Sequence, residues 1–175
     1  MSSEPAALVI AHYSPEWPRE FERERAAIAR LLAPLPMHIE HIGSTSVPGM
    51  PAKPIIDIML GVPSLADIEA RIELVEQLGY THLPEMRELM PDNRFFAKPV
   101  SMPRHFHLHA VEYDGEFWRD HIAFRDMLRA DNELARDYAA LKNRLADEFA
   151  FQPKRYTDAK GPFINAAVAR LQREP

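Results

Sequence analysis

The stretch HIGSTSVPGMPAKPIID, residues 41–57, joins two strand-like segments through a turn of small polar residues. Upstream, Met37 to Ile42 reads as a short strand. It cannot run on through Gly43-Ser44-Thr45-Ser46, which is followed by Pro48, Gly49 and Pro51. Downstream, Pro54 to Val62 (PIIDIMLGV) is β-rich and almost continuously apolar. That pattern marks a central strand covered on both faces. Asp57 breaks it. A carboxylate inside such a strand is desolvated unless it is paired or ligating, so Asp57 is the first candidate for chemistry.

Working outward, Ser14 is a good helix N-cap and Pro15 suits the first helical position. Trp17, Phe21, Ile28 and Leu32 then recur at spacings of four, seven and four, until Pro34 and Pro36 end the helix. On the other side, Ser64-x-x-Asp67 resembles a capping box. It opens a helix with Leu65, Ile68, Ile72, Val75 and Leu78 on one face, closed by Gly79. Tyr80 to Met90 and Arg94 to Val100 are expected as strands, and Phe106 to Tyr113 (FHLHAVEY) as a further one.

From Gly115 the period changes. Phe117, His121, Phe124 and Leu128 line one helix, and after Asp131-Asn132 a second carries Leu134, Tyr138, Leu141, Leu145 and Phe149. A last helix near Pro162 carries Phe163, Ile164, Ala167, Val168 and Leu171. The order predicts one α+β domain over residues 1–175: a mixed β-sheet with an N-terminal helix and C-terminal helices packed on it.

Length and composition bound the function. The 175 residues make one domain-sized unit, with 46% hydrophobic and 27% charged residues, as in ordinary globular proteins. With 21 Lys+Arg against 26 Asp+Glu, the net charge of -5 disfavours non-specific nucleic-acid binding. Zero cysteines exclude thiol nucleophiles, Cys-ligated zinc and disulfides. The opening MSSEPAALVIAH has no basic leader, and no run reaches about 18 apolar residues, so no membrane association and a cytoplasmic location are expected. Nothing in the sequence fixes the oligomeric state.

A Gly-Ser turn lays backbone N–H groups and a hydroxyl against phosphate oxygens, while a carboxylate on the neighbouring strand holds a divalent cation bridging them. Gly43, Ser44 and Thr45 with Asp57 therefore suggest a site for a nucleoside triphosphate or another phosphorylated small molecule. By strand period, His107 and His109 share a face. Together with Asp57 they would form a two-His, one-carboxylate set, more typical of Fe, Mn or Zn than of Mg. Arg94, Phe96 and Lys98 also alternate onto one face, and with Lys53 they are expected to give the cleft a positive potential. Arg125 flanks the apolar stripe of its helix and is a buried ion pair or a ligand contact. Lys142 and Lys160 read as solvated helical lysines, His12, His38 and His82 as surface or packing residues, and Tyr138 as core.

These residues resemble the GrpB family, whose members carry much the same G-S-T-x-V-P-G-x-x-x-K-P-I-I-D run. Tyr13-Ser14-Pro15-Glu16-Trp17, His107-Leu108-His109, Phe124-Arg125-Asp126-x-Leu128 and Tyr156-Thr157-Asp158-x-Lys160 extend the resemblance over nearly the whole chain. The resemblance implies a nucleotidyltransferase-like fold. It carries over Gly43, Ser44, Lys53, Asp57, His107, His109, Arg125 and Lys160 as characteristic positions. Of these, Asp57 and Ser44 are expected in catalytic roles. One departure matters for mechanism. Active nucleotidyltransferases hold two metals with carboxylates at i and i+2 of this strand, whereas here Met59 follows Asp57. Three functions are therefore expected to compete. They are a transferase or ATP-dependent ligase with an atypical metal site, a degenerate nucleotide- or metabolite-binding regulatory module, and a metal-dependent enzyme built on His107, His109 and Asp57.

Overall fold

A computed structural model describes residues 8–99 and 104–171. Helix α1 (Glu16–Leu32) starts where Ser14 Oγ accepts the Glu16 N–H at 3.2 Å, and it buries Trp17, Phe21, Ile28 and Leu32. Strand β1 (His38–Ile42) leads through a short 3-10 turn (Ser44–Ser46) and a proline-rich loop into β2 (Ile56–Val62). Ser64 then caps α2 (Leu65–Glu69), which is followed by α3 (Ile72–Glu76). Strands β3 (Thr81–His82), β4 (Asn93–Lys98) and β5 (Phe106–Glu112) complete the sheet. Four helices close the chain: α4 (Glu116–Ala130), α5 (Asn132–Glu148), α6 (Pro153–Ala159) and α7 (Gly161–Leu171).

The sheet order is β1-β2-β5-β4-β3, with β2 and β5 parallel and the other pairs antiparallel. This is the expected α+β arrangement with a mixed sheet. Strand β2 is central, and parity sends its residues to two different environments. Ile56, Ile58, Leu60 and Val62 join Phe96, Leu108 and Ala110 against α1, α2 and α3, which forms the main core. Asp57 and Met59 point the other way, beneath the C-terminal helices, where Met59 packs with Ile42, Val111 and Trp118.

The elements differ from expectation in four places. Tyr80 to Met90 is not one strand: only Thr81–His82 pairs with β4, and Pro84, lacking an N–H for a ladder, opens a 3-10 turn over Pro84–Glu88. The helix begun at Ser64 is interrupted at Ala70-Arg71. Helix α6, started by Pro153, has no counterpart in the periodicity because seven residues carry too few apolar positions to show one. Strand β4 begins one residue before its expected start at Arg94, and Val100, its expected end, lies outside the described residues. Among the described residues no helix is long and apolar enough to cross a membrane.

Candidate functional site

Asp57 and His107 are register partners on the parallel strands β2 and β5, and Met59 stands opposite His109. One sheet face therefore carries Asp57, His107 and His109 together. His107 Nδ1 lies 3.1 Å from Asp57 Oδ1 and His109 Nε2 lies 3.8 Å from the same oxygen. One ligand atom from each residue falls within 4.8 Å of the others, spacing that suits donors around a single divalent ion at about 2.1 Å. Burial alone would raise the Asp57 pKa. The two imidazoles beside it override that and hold the carboxyl well below the usual carboxylate range.

The second ring nitrogen of His109 contacts the Asn93 amide, Nδ1 to Nδ2 at 2.8 Å, while the Asn93 Oδ1 is buried without a partner. With Asn93 Nδ2 donating to His109 Nδ1, the Nε2–H faces Asp57 and helps hold the carboxylate ionised. An ion on Nε2 would need the amide turned over, so that Asn93 Oδ1 accepts from Nδ1–H. Metal-ligating histidines are held by outer partners of this kind. The three donors lie close enough to hold a divalent cation and, without one, form an ion-paired cluster.

The loop after β1 closes over Asp57. Gly43 has φ 69° and ψ -178°, backbone that is essentially reserved for glycine, and a Cβ placed on it would strike the Asp57 carboxylate. Thr45 donates its hydroxyl to the Ile55 carbonyl at 3.2 Å and accepts from His41 Nε2 at 3.0 Å. His41 is itself stacked on Phe21, and burial first of all lowers its pKa to about 4, so the ring is neutral. Ser46 Oγ donates to the Gly43 carbonyl at 2.6 Å. The turn is therefore built by its own side chains.

A cavity of about 700 Å³ opens above this face, and Gly43, Ser44, Thr45, Lys53, Asp57, His107, His109, Arg125 and Lys160 all line it. Two residues expected beside them do not. Arg94 and Lys98 sit on the opposite sheet face, because Phe95 and Ala97 are the β4 residues in register with His109 and His107. Arg94 Nε is paired with Glu69 at 2.7 Å, and Lys98 Nζ with Glu24 at 2.8 Å. Thr45 reaches the cavity wall with its hydroxyl already committed inward. Arg125 likewise lines the cavity with a matched charge, bonding Glu40 at 2.6 Å, Asp126 at 2.8 Å and the His41 carbonyl at 3.1 Å. It ties α4 to β1.

Sequence reasoning missed Lys142. Its side chain is buried at 1% residue exposure, donates to the Pro51 carbonyl and lines the same cavity. Burial, and then neighbouring Lys160, push its pKa down to about 7. Burial, and then Lys53, push Lys160 down to about 8. Tyr156, buried from α6, contacts two of these lysines: Lys53 Nζ is 4.5 Å and Lys160 Nζ 4.6 Å from its ring centre. A lysine on the apolar side of α5 was the available signal, in register with Tyr138 at i and i+4.

A protein-family model described as GrpB protein matches residues 7–170. The chain is 33% identical over 168 residues to the glutamate-rich protein GrpB of Alkalihalophilus pseudofirmus, covering 94% of this chain and 95% of that protein. It is similar to the crystal structure of the conserved protein GrpB from Enterococcus faecalis, with a TM-score of 0.81 at 31% identity over 93% of this chain and 96% of that one. A weaker likeness, with a TM-score of 0.46 at 13% identity, runs to terminal uridylyl transferase 4 from Trypanosoma brucei, over 78% of this chain and 46% of that one.

Proposed function

The chain belongs to the GrpB family, and from that premise and the geometry of the cavity we propose that it binds a nucleotide or other phosphorylated small molecule at a single divalent ion held by Asp57, His107 and His109. The observation that carries this reading is the convergence of those three donors in a cavity that Lys53, Lys142 and Lys160 also line. Such an ion would neutralise and polarise phosphate oxygens, the basis of transferase or ATP-dependent ligase chemistry. For its part the chain orients His109 through Asn93, positions the turn at Gly43-Ser44 beside the carboxylate, and supplies cations to the bound anion.

A second reading, a binding module without turnover, is favoured by one observation. Met59 occupies the position of a second carboxylate and is fully buried among Ile42, Val111 and Trp118. Thermal shift and calorimetry with Zn²⁺, Mn²⁺ and Mg²⁺, each with and without ATP, test the proposal. Binding of Zn²⁺ or Mn²⁺ that tightens nucleotide binding and is lost in Asp57→Asn supports it. A protein that binds ATP equally well in chelator, or binds no divalent ion, sinks it. Product formation from the loaded protein separates the enzyme from the module.

A further inference from the structure

Lys53, Lys142 and Lys160 come from three separate places in the chain, the loop before β2, the middle of α5 and the end of α6, and all line one cavity. Among the described residues none of the three has a carboxylate within ion-pair distance. Their surroundings are instead a backbone carbonyl and aromatic faces. Lys142 Nζ donates to Pro51 O and rests 5.1 Å from the Tyr138 ring centre, while Lys53 and Lys160 both rest on Tyr156. Several other part-buried cations are matched to acids, as Arg94 to Glu69, Lys98 to Glu24 and Arg125 to Glu40. Desolvated ammonium groups near one another with no ion-paired acid are unfavourable for the empty protein.

We infer that Lys53, Lys142 and Lys160 form a polyanion subsite that takes the di- or triphosphate group of the ligand. The inference rests on reading the cavity as a site for a phosphorylated small molecule and assigns which end holds the charge. Lysine ammonium groups act on phosphate as point charges from several directions, and a di- or triphosphate offers more anionic oxygens to three of them than a single carboxylate does. Each ammonium keeps donors to offer: the Lys142 group uses one of its three on Pro51. Asp57 supplies the nearest opposing charge, acting on both Lys53 and Lys160, so an ion at the Asp57 cluster and a phosphate at the lysines would be mutually reinforcing neighbours.

The test uses the full chain in chelator, so that no divalent ion contributes. Inorganic pyrophosphate and tripolyphosphate are expected to raise the melting temperature, citrate to do so far less, and calorimetry to show a single site. Lys142→Met and Lys160→Gln are each expected to weaken pyrophosphate binding by about tenfold or more. Lys98→Ala, on the opposite face, should leave it unchanged. Circular dichroism of the free variants shows whether each folds, and two independent variants keep the result decisive. The inference is overturned if pyrophosphate gives no shift, if citrate stabilises as strongly, or if both folded lysine variants bind like wild type. Intact pyrophosphate binding without metal-dependent nucleotide binding would leave this subsite standing and remove the proposed function. The reverse pattern would remove the subsite alone.

Discussion

Gly43 lies so close to Asp57 that any β-carbon on it would displace the carboxylate oxygen Oδ2. The turn and the acid are thereby a single construction. Gly49, six residues on, also has positive φ, at 77°, but open space around it. The pair separates backbone strain from site collision. Gly49→Ala should cost about 1 kcal/mol. Gly43→Ala carries the strain and the collision, and should cost about 3 kcal/mol or more. Thermal unfolding measures both, at about 2–4 °C per kcal/mol for a chain of this size. Gly43→Ala should also lose divalent-ion binding; equal effects at the two glycines would contradict the described contact.

Asn93 is 1% exposed and touches His109 through its side-chain amide. Asn93→Ala removes the group that fixes the imidazole tautomer and orientation. Affinity for Zn²⁺ or Mn²⁺ should fall by about 10–100-fold while the fold persists. Titration calorimetry checks this, and Asn93→Asp, which restores an acceptor for His109 Nδ1–H, should recover part of the loss.

The buried lysines set the pH dependence of stability. Lys142 is held at about 7 and Lys160 at about 8, both below the unfolded lysine value of 10.5. Between these folded and unfolded values the unfolded chain binds more protons, so stability rises with pH from about 7 towards 10. Below pH 7 both lysines are charged in both states and their burial penalty is fully present. Above pH 10 the trend should reverse. Tyr156, raised by burial to about 12, keeps its proton in the folded state, and that contribution is lost as pH climbs through its folded value. Denaturant titrations across this range should show a maximum near pH 9–10, and Lys142→Met should flatten the rise and stabilise the empty protein at pH 7 by on the order of a few kcal/mol.

The parts of the fold that could be read in advance were those with strong local pattern. The 3.6 period of Trp17, Phe21, Ile28 and Leu32, and the near-unbroken apolar run around Asp57, each correspond to a buried element. The His107/His109 parity also placed both imidazoles on one face. What could not be read was which face of β4 meets that face of β5. Strand period makes Arg94 and Lys98 companions but leaves their side open, and the antiparallel register with β5 turns them towards Glu69 and Glu24. Lys142 was hidden for a related reason. Helical spacing marks its neighbours as apolar, and only the docking of α5 on the Pro51 loop makes a buried ammonium tolerable there.

Met59 offers the strictest check on the single-ion proposal. It sits two residues beyond Asp57 on the same face, the spacing at which strand period would place a second carboxylate for a two-metal site. Yet it is fully buried, in contact with Ile42, Val111 and Trp118 rather than with the cavity. An aspartate introduced there would meet no solvent and no cation, so Met59→Asp should destabilise the fold by about 3 kcal/mol or more. Met59→Leu, similar in volume, should cost less than about 1.5 kcal/mol. Because the new carboxylate is walled off by Trp118 and its neighbours, Mg²⁺ affinity and any Mg²⁺-dependent turnover should not increase in Met59→Asp, even at temperatures where it remains folded. A rise in either would mean that the apolar cluster opens to the cavity and that the site is a degenerate two-metal centre instead of a single-ion one.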